Sequence, residues 1–123
     1  MPHILIIEDD DSLRKMLRLT LAKMGHTVAE AQNGKEGLAI HGKAPADIVL
    51  TDLIMPEMEG LETIMRLRRT HPGVKIIAMS GGGRGKAIDY LQAAKWMGAA
   101  QVLAKPFSEK DLAAAIEGAL KVG

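Results

Sequence analysis

Five short, largely apolar runs recur along the chain: ILII at 4–7, HTVAEA at 26–31, DIVLTD at 47–52, VKIIAM at 74–79 and AAQVLA at 99–104. Longer segments of helical periodicity separate them. From Ser12 to Met24, residues Leu13, Met16, Leu17, Leu21 and Met24 fall on one face, and Gly25 ends the helix. Asn33 is placed to cap a second helix running through Gly42, and Leu61, Ile64, Leu67 and Arg68 mark a third, closed by His71-Pro72-Gly73. A fourth spans about Lys86 to Met97 and stops at Gly98. The fifth opens on the capping-box pattern Ser108-Glu109-Lys110-Asp111 and aligns Leu112, Ile116, Ala119 and Leu120. Strict strand–helix alternation predicts an α/β fold, a doubly wound parallel sheet of five strands with helices on both faces. Strands as uniformly apolar as ILII fit a sheet covered on both sides.

At 123 residues this is one domain, spanning 1–123, and it needs neither metal nor disulfide to hold its core. Cys is absent, which removes thiol catalysis, disulfides and cysteine-ligated metals. The 16 basic and 15 acidic residues nearly cancel, and three aromatics, Tyr90, Trp96 and Phe107, make no stacking platform. Nucleic acid is therefore not an expected partner. Nor is a membrane, because the apolar runs are too short to span one and MPHILIIEDDD is no signal peptide. A cytoplasmic location is the default expectation.

In an open parallel sheet, function gathers at the carboxyl ends of the strands. There the chain places Glu8, Asp9 and Asp10 after the first strand, Asp52 after the third, Ser80 after the fourth and Lys105 after the fifth. Asp10, Asp11 and Ser12 have an alternative reading as helix caps. Asp52 and Lys105, set in apolar surroundings, have one as a buried ion pair. Together the group suggests more. Clustered carboxylates raise one another's pKa unless a hard divalent cation sits among them, and oxygen-only ligands favour Mg²⁺ or Mn²⁺ over zinc. With a lysine and a hydroxyl opposite, such a site suits a phosphoryl group, and one carboxylate can be the nucleophile. Asp52, apart from the acidic cluster and next to a turn, is the choice.

IIEDDDS, DLIMPEMEG, AMSG and LAKPF, in that order and with Asp9 and Asp52 separated by 43 positions, resemble the receiver domain of two-component response regulators over the whole chain. The resemblance implies the CheY-like, flavodoxin-like fold with strand order 2-1-3-4-5, the order the doubly wound fold shows in that family. It implies that Asp52 accepts a phosphoryl group from a histidine kinase or histidine phosphotransfer protein. Asp9, Asp52 and the main-chain carbonyl of Ile54 would hold Mg²⁺, with Glu8 completing the acidic pocket through water. Ser80 would act as the switch hydroxyl and Lys105 would pair with the phosphoryl oxygens. A cis Lys105-Pro106 bond would aim the lysine inward, with Gly81 and Pro106 as the loop and cis-proline support of the site. Such a domain assists its own phosphorylation and dephosphorylation without being a turnover enzyme. With nothing after Gly123, a stand-alone protein acting on an unknown downstream partner, or passing phosphate onward, is expected.

Departures from the pattern are visible. Val102 stands where the family often has Tyr or Phe, so signalling would run through the loop after the fourth strand and the face formed by the fourth helix, fifth strand and fifth helix. That loop, MSGGGRGKA, nearly matches a nucleotide-binding G-x-x-x-x-G-K-[ST] loop, but Ser80 replaces the first Gly and Ala87 the metal-binding hydroxyl. Its glycines are read as a hinge that orders when Ser80 meets phosphate. An Asp-nucleophile phosphatase is a weaker alternative, since Ile54 occupies the place of its second Asp. A flavin-binding domain is disfavoured by acids where a phosphate cradle should be. Trp96 is read as a core residue, with a partner contact as the alternative. His3, His26, His41 and His71 are read as surface or strand-edge residues.

Overall fold

The computed structural model describes residues 2–53, 60–81 and 92–121. Ile4 to Ile7 are all buried, so this strand has no solvent face and must be covered above and below. The elements that do this are β1 (His3–Ile7), α1 (Asp11–Lys23), β2 (Thr27–Ala31), α2 (Gly34–Lys43), β3 (Ile48–Asp52), α3 (Gly60–Thr70), β4 (Lys75–Ser80), α4 (helical at 92–96), β5 (Gln101–Ala104) and α5 (Glu109–Lys121). The five strands are parallel in the order β2-β1-β3-β4-β5. Leu5 lies opposite Ala29 and Val49, and Val49 opposite Ile76.

Side-chain alternation along the strands divides the core in two. Leu5, Ile7, Val49 and Ile76 pack with Ile64 and Leu67 of α3 and Ala94 of α4. Ile4, Ile6, Leu50 and Ile77 pack with Leu17 and Leu21 of α1 and Leu112 and Ile116 of α5. This is the doubly wound arrangement expected from the alternation. No helix among the described residues is long and apolar enough to cross a membrane.

Local signals set the helix ends. The Asp10 carboxylate accepts from the amides of Ser12 (2.9 Å) and Leu13 (3.1 Å), and Asn33 Oδ1 accepts from Glu36 N–H at 2.8 Å. Ser108 and Asp111 cap each other, Oγ to amide at 3.0 Å and carboxylate to amide at 3.1 Å. Gly25 and Gly98, at φ 95° and 107°, turn the chain out of α1 and α4 through a conformation that side chains with a Cβ resist.

Three expected core residues lie outside. Met16 and Leu120 are about half exposed because the buried stripe is narrower than expected: Leu17 and Leu21 on α1, and Leu112, Ala115, Ile116 and Ala119 on α5. Trp96 is 91% exposed, which corrects its reading as core. Ala94 is the α4 residue turned inward, and two positions further rotates a side chain by about 200°, into solvent. His41 errs the other way. It is buried, not a surface residue, and its ring packs edge-to-face on His71 with centroids 4.4 Å apart.

Candidate functional site

Parallel strands all end at the same edge, and the tails of β1, β3, β4 and β5 build the site there. Glu8 continues β1, its amide donating to Ala31 O at 3.0 Å, and its side chain is buried. Asp9, the next residue, is exposed, and Asp52 closes β3 with only 5% of its surface accessible. Beyond β5, Lys105 N–H donates to Ser80 O at 2.7 Å, and the Lys105-Pro106 peptide is cis. The lysine Nζ lies 2.7 Å from Glu8 Oε1 and 3.3 Å from Asp52 Oδ2. One carboxylate oxygen from each of Glu8, Asp9 and Asp52 falls within 4.8 Å of the others. Ser80 is fully buried, and its Oγ has no hydrogen-bond partner among the described residues.

Two glycines permit this convergence by close approach. A Cβ on Gly81 would sit 2.6 Å from Lys105 Cβ, and one on Gly60 would sit 2.3 Å from Asp52 O. Gly60 also donates its amide to Leu53 O at 2.9 Å, holding the start of α3 against the end of β3.

Burial pushes the Glu8 carboxyl up to about 7; the Lys105 hydrogen bond pulls against this, and the Asp52 charge adds to it. For Lys105 burial acts to lower the pKa, but the Glu8 hydrogen bond and the charges of Asp52 and Glu8 outweigh it and raise the value. The lysine therefore stays an ammonium. Lys105 pairs with two of the three clustered carboxylates, Glu8 and Asp52, and Asp9 adds a third acid beside them, an arrangement a divalent ion would balance. The donor set is all oxygen, from clustered carboxylates, and it fits Mg²⁺ or Mn²⁺.

Glu8, Asp9, Asp52, Ser80 and Lys105 are thus placed at one end of the sheet, as the sequence implied. Gly81, Lys105 and Pro106 also line a cavity of about 500 Å³ with Asp10, Leu13, Met16 and Phe107. Ile54, the glycines after Gly81, and Tyr90 lie outside the described residues. Val102 is half-buried and packs against the α3 side of the core. Sequence reasoning missed Arg14, which reaches back from α1 to Glu8 O at 2.8 Å. Its spacing from Asp11 was a visible helical pair, but contact with a main-chain carbonyl leaves no trace in residue types.

Comparison with known proteins places this geometry. The family model "Response regulator receiver domain" matches residues 4–117. The chain is 34% identical over 119 residues to the transcriptional regulatory protein GlrR of Escherichia coli, covering 97% of this chain and 26% of that protein. It therefore spans about a quarter of that relative's length. It is also 34% identical over 117 residues to the response regulator receiver protein CpdR of Brucella abortus, covering 95% of each. A crystal structure of a receiver domain protein from Clostridium thermocellum superposes with a TM-score of 0.90 at 29% identity, over 98% of this chain and 94% of the other.

Proposed function

The chain belongs to the response regulator receiver family of two-component systems, and from that premise we propose that residues 1–123 form a phosphoacceptor whose nucleophile is Asp52. An Asp52 carboxylate oxygen attacks the phosphorus of a phosphohistidine on a histidine kinase or histidine phosphotransfer protein. The P–O bond forms as the P–N bond breaks, and the departing imidazole keeps the electron pair and takes a proton from solvent. Glu8, Asp9 and Asp52, with the Ile54 carbonyl that the family resemblance adds, would hold Mg²⁺ (or Mn²⁺), which when bound neutralises the phosphoryl oxygens.

What supports this reading above all is the Lys105 ammonium bridging two carboxylates from different strands, 2.7 Å from Glu8 and 3.3 Å from Asp52. A phosphoryl group on Asp52 lies within that lysine's reach. The Ser80 hydroxyl, buried without a described partner, gains an acceptor in the same event. Ser80 begins the segment leading to α4, so its engagement is the route by which phosphorylation changes the α4-β5-α5 face and the affinity for a downstream protein. Onward transfer to a phosphotransfer protein uses the same chemistry with a different partner.

The test is incubation with Mg²⁺ and acetyl phosphate followed by intact mass. A gain of one phosphoryl group that disappears in Asp52→Asn is expected. Retention of the gain in that variant would move the nucleophile elsewhere, and repeated release of phosphate from small esters would favour a phosphatase.

A further inference from the structure

The Glu8 carbonyl belongs to the peptide plane that joins Glu8 to Asp9, so whatever fixes it fixes the path between two of the three clustered carboxylates. On one side the Glu8 amide is tied to β2 through Ala31 O at 3.0 Å. On the other, Arg14 Nη1 donates to Glu8 O at 2.8 Å. The guanidinium is itself held from two further directions. Nη2 pairs with Asp11 Oδ1 on the same helix, and Nε lies 3.6 Å from Glu30 Oε1 on β2. Only 14% of the Arg14 side chain is exposed. Arg18 shares Glu30, with Nε 3.1 Å from Oε2, but among the described residues it makes no hydrogen bond or ion pair with Glu8.

We infer that Arg14 is a positioning residue for the metal site, a fork on α1 that clamps the Glu8–Asp9 peptide so that both carboxylates face Asp52. This rests on the metal reading of the site given above. A lysine could supply the charge but not three directions at once, because an ammonium on a flexible stem lacks the rigid planar fork. The sign of the effect separates this role from bulk electrostatics. Arg14 is a cation near a cation site, so charge alone makes its removal tighten divalent-ion binding. Loss of positioning weakens it.

The experiment is direct titration with Mn²⁺, reading the free ion by electron paramagnetic resonance. It compares wild type, Asp9→Asn, Arg14→Ala, Arg14→Lys and Arg18→Ala, with metal-free thermal midpoints recorded for each. Arg14→Ala is expected to weaken Mn²⁺ binding roughly tenfold, as loss of an outer-sphere partner does, and Arg14→Lys to recover part of that loss. Arg18→Ala, which loses a neighbouring ion pair without touching Glu8, is expected to bind as wild type does. Unchanged or tighter binding in Arg14→Ala, or an equal loss in Arg18→Ala, overturns the positioning role alone. Wild-type binding that Asp9→Asn does not remove overturns the metal site, and this inference with it.

Discussion

The two ends of the sheet are built from similar polar groups used in opposite ways. At the amino end most of the described polar groups pair within the chain, although His26 Nδ1, just before β2, is buried with no partner among the described residues. His3 N–H donates to Asp47 Oδ2 at 2.8 Å, Asp47 N–H returns to His3 O at 2.8 Å, and His3 Nδ1 meets Thr27 Oγ1 at 2.9 Å. Buried His41 accepts from Ala46 N–H at 3.0 Å, and Thr70 Oγ1 donates to Arg66 O at 2.8 Å, which leaves it to accept from His71 Nδ1 at 2.9 Å. At the carboxyl end the side chains face one another instead: three carboxylates, one ammonium and a hydroxyl whose oxygen has no described partner. Backbone and side-chain partners together occupy the first set and fix a corner of the fold. The second set keeps unspent capacity for a ligand, and that difference, more than residue type, marks a site.

The comparison breaks first at Lys105. Lys105→Ala leaves Glu8 and Asp52 without their shared cation, and phosphorylation by acetyl phosphate should slow by roughly 100-fold or more, the scale of losing one aimed electrostatic partner. A rate close to wild type would mean that the lysine serves only structure. At the other end His41→Ala should behave in reverse. It strands the buried Ala46 amide and removes a ring packed on His71, so urea unfolding should show a loss of about 2–3 kcal/mol. The phosphorylation rate per folded molecule should not move; if it does, the two ends are coupled. Gly81→Ala tests the site's packing, since the new Cβ must displace Lys105 Cβ from 2.6 Å. Overpacking of this kind should cost about 1–2 kcal/mol and slow phosphorylation together.

The smallest effect expected is with pH. Burial, followed by the charges of His71 and His3, lowers the His41 pKa below its ordinary 6.5. The unfolded chain therefore takes up this proton before the folded one does. The corresponding stability is complete above about pH 6.5 and is lost as pH falls toward the folded value, with a slope of at most about 1.4 kcal/mol per pH unit. His71, His3 and Asp47 face the same corner, so the His41-specific part is the slope that His41→Asn removes. An identical slope in that variant would assign the acid sensitivity to its neighbours.

Much of this molecule was legible in residue order, because the signals are local. Apolar runs and helical periods gave the alternation, and Asp10, Asn33 and Ser108 capped helices where short-range hydrogen bonding says they should. Strand ends located Glu8, Asp9, Asp52, Ser80 and Lys105, since parallel strands must all finish on one side. The sense of burial on the helices was less legible. Met16, Leu120 and Trp96 carry apolar side chains but fall outside stripes whose width depends on how closely each helix meets the sheet. His41 reads as polar, and only the fold brings Ala46 and His71 against it.

Residue types arranged along a chain were enough to dictate the layers, the helix ends and the edge of the sheet where chemistry could gather, because periodicity, capping and strand direction act over a few neighbours. The distances between Lys105, Glu8 and Asp52, the lack of a partner for Ser80 Oγ among the described residues and the grip of Arg14 on a main-chain carbonyl arose only on folding. They join residues up to 97 positions apart, and no local propensity acts over that span.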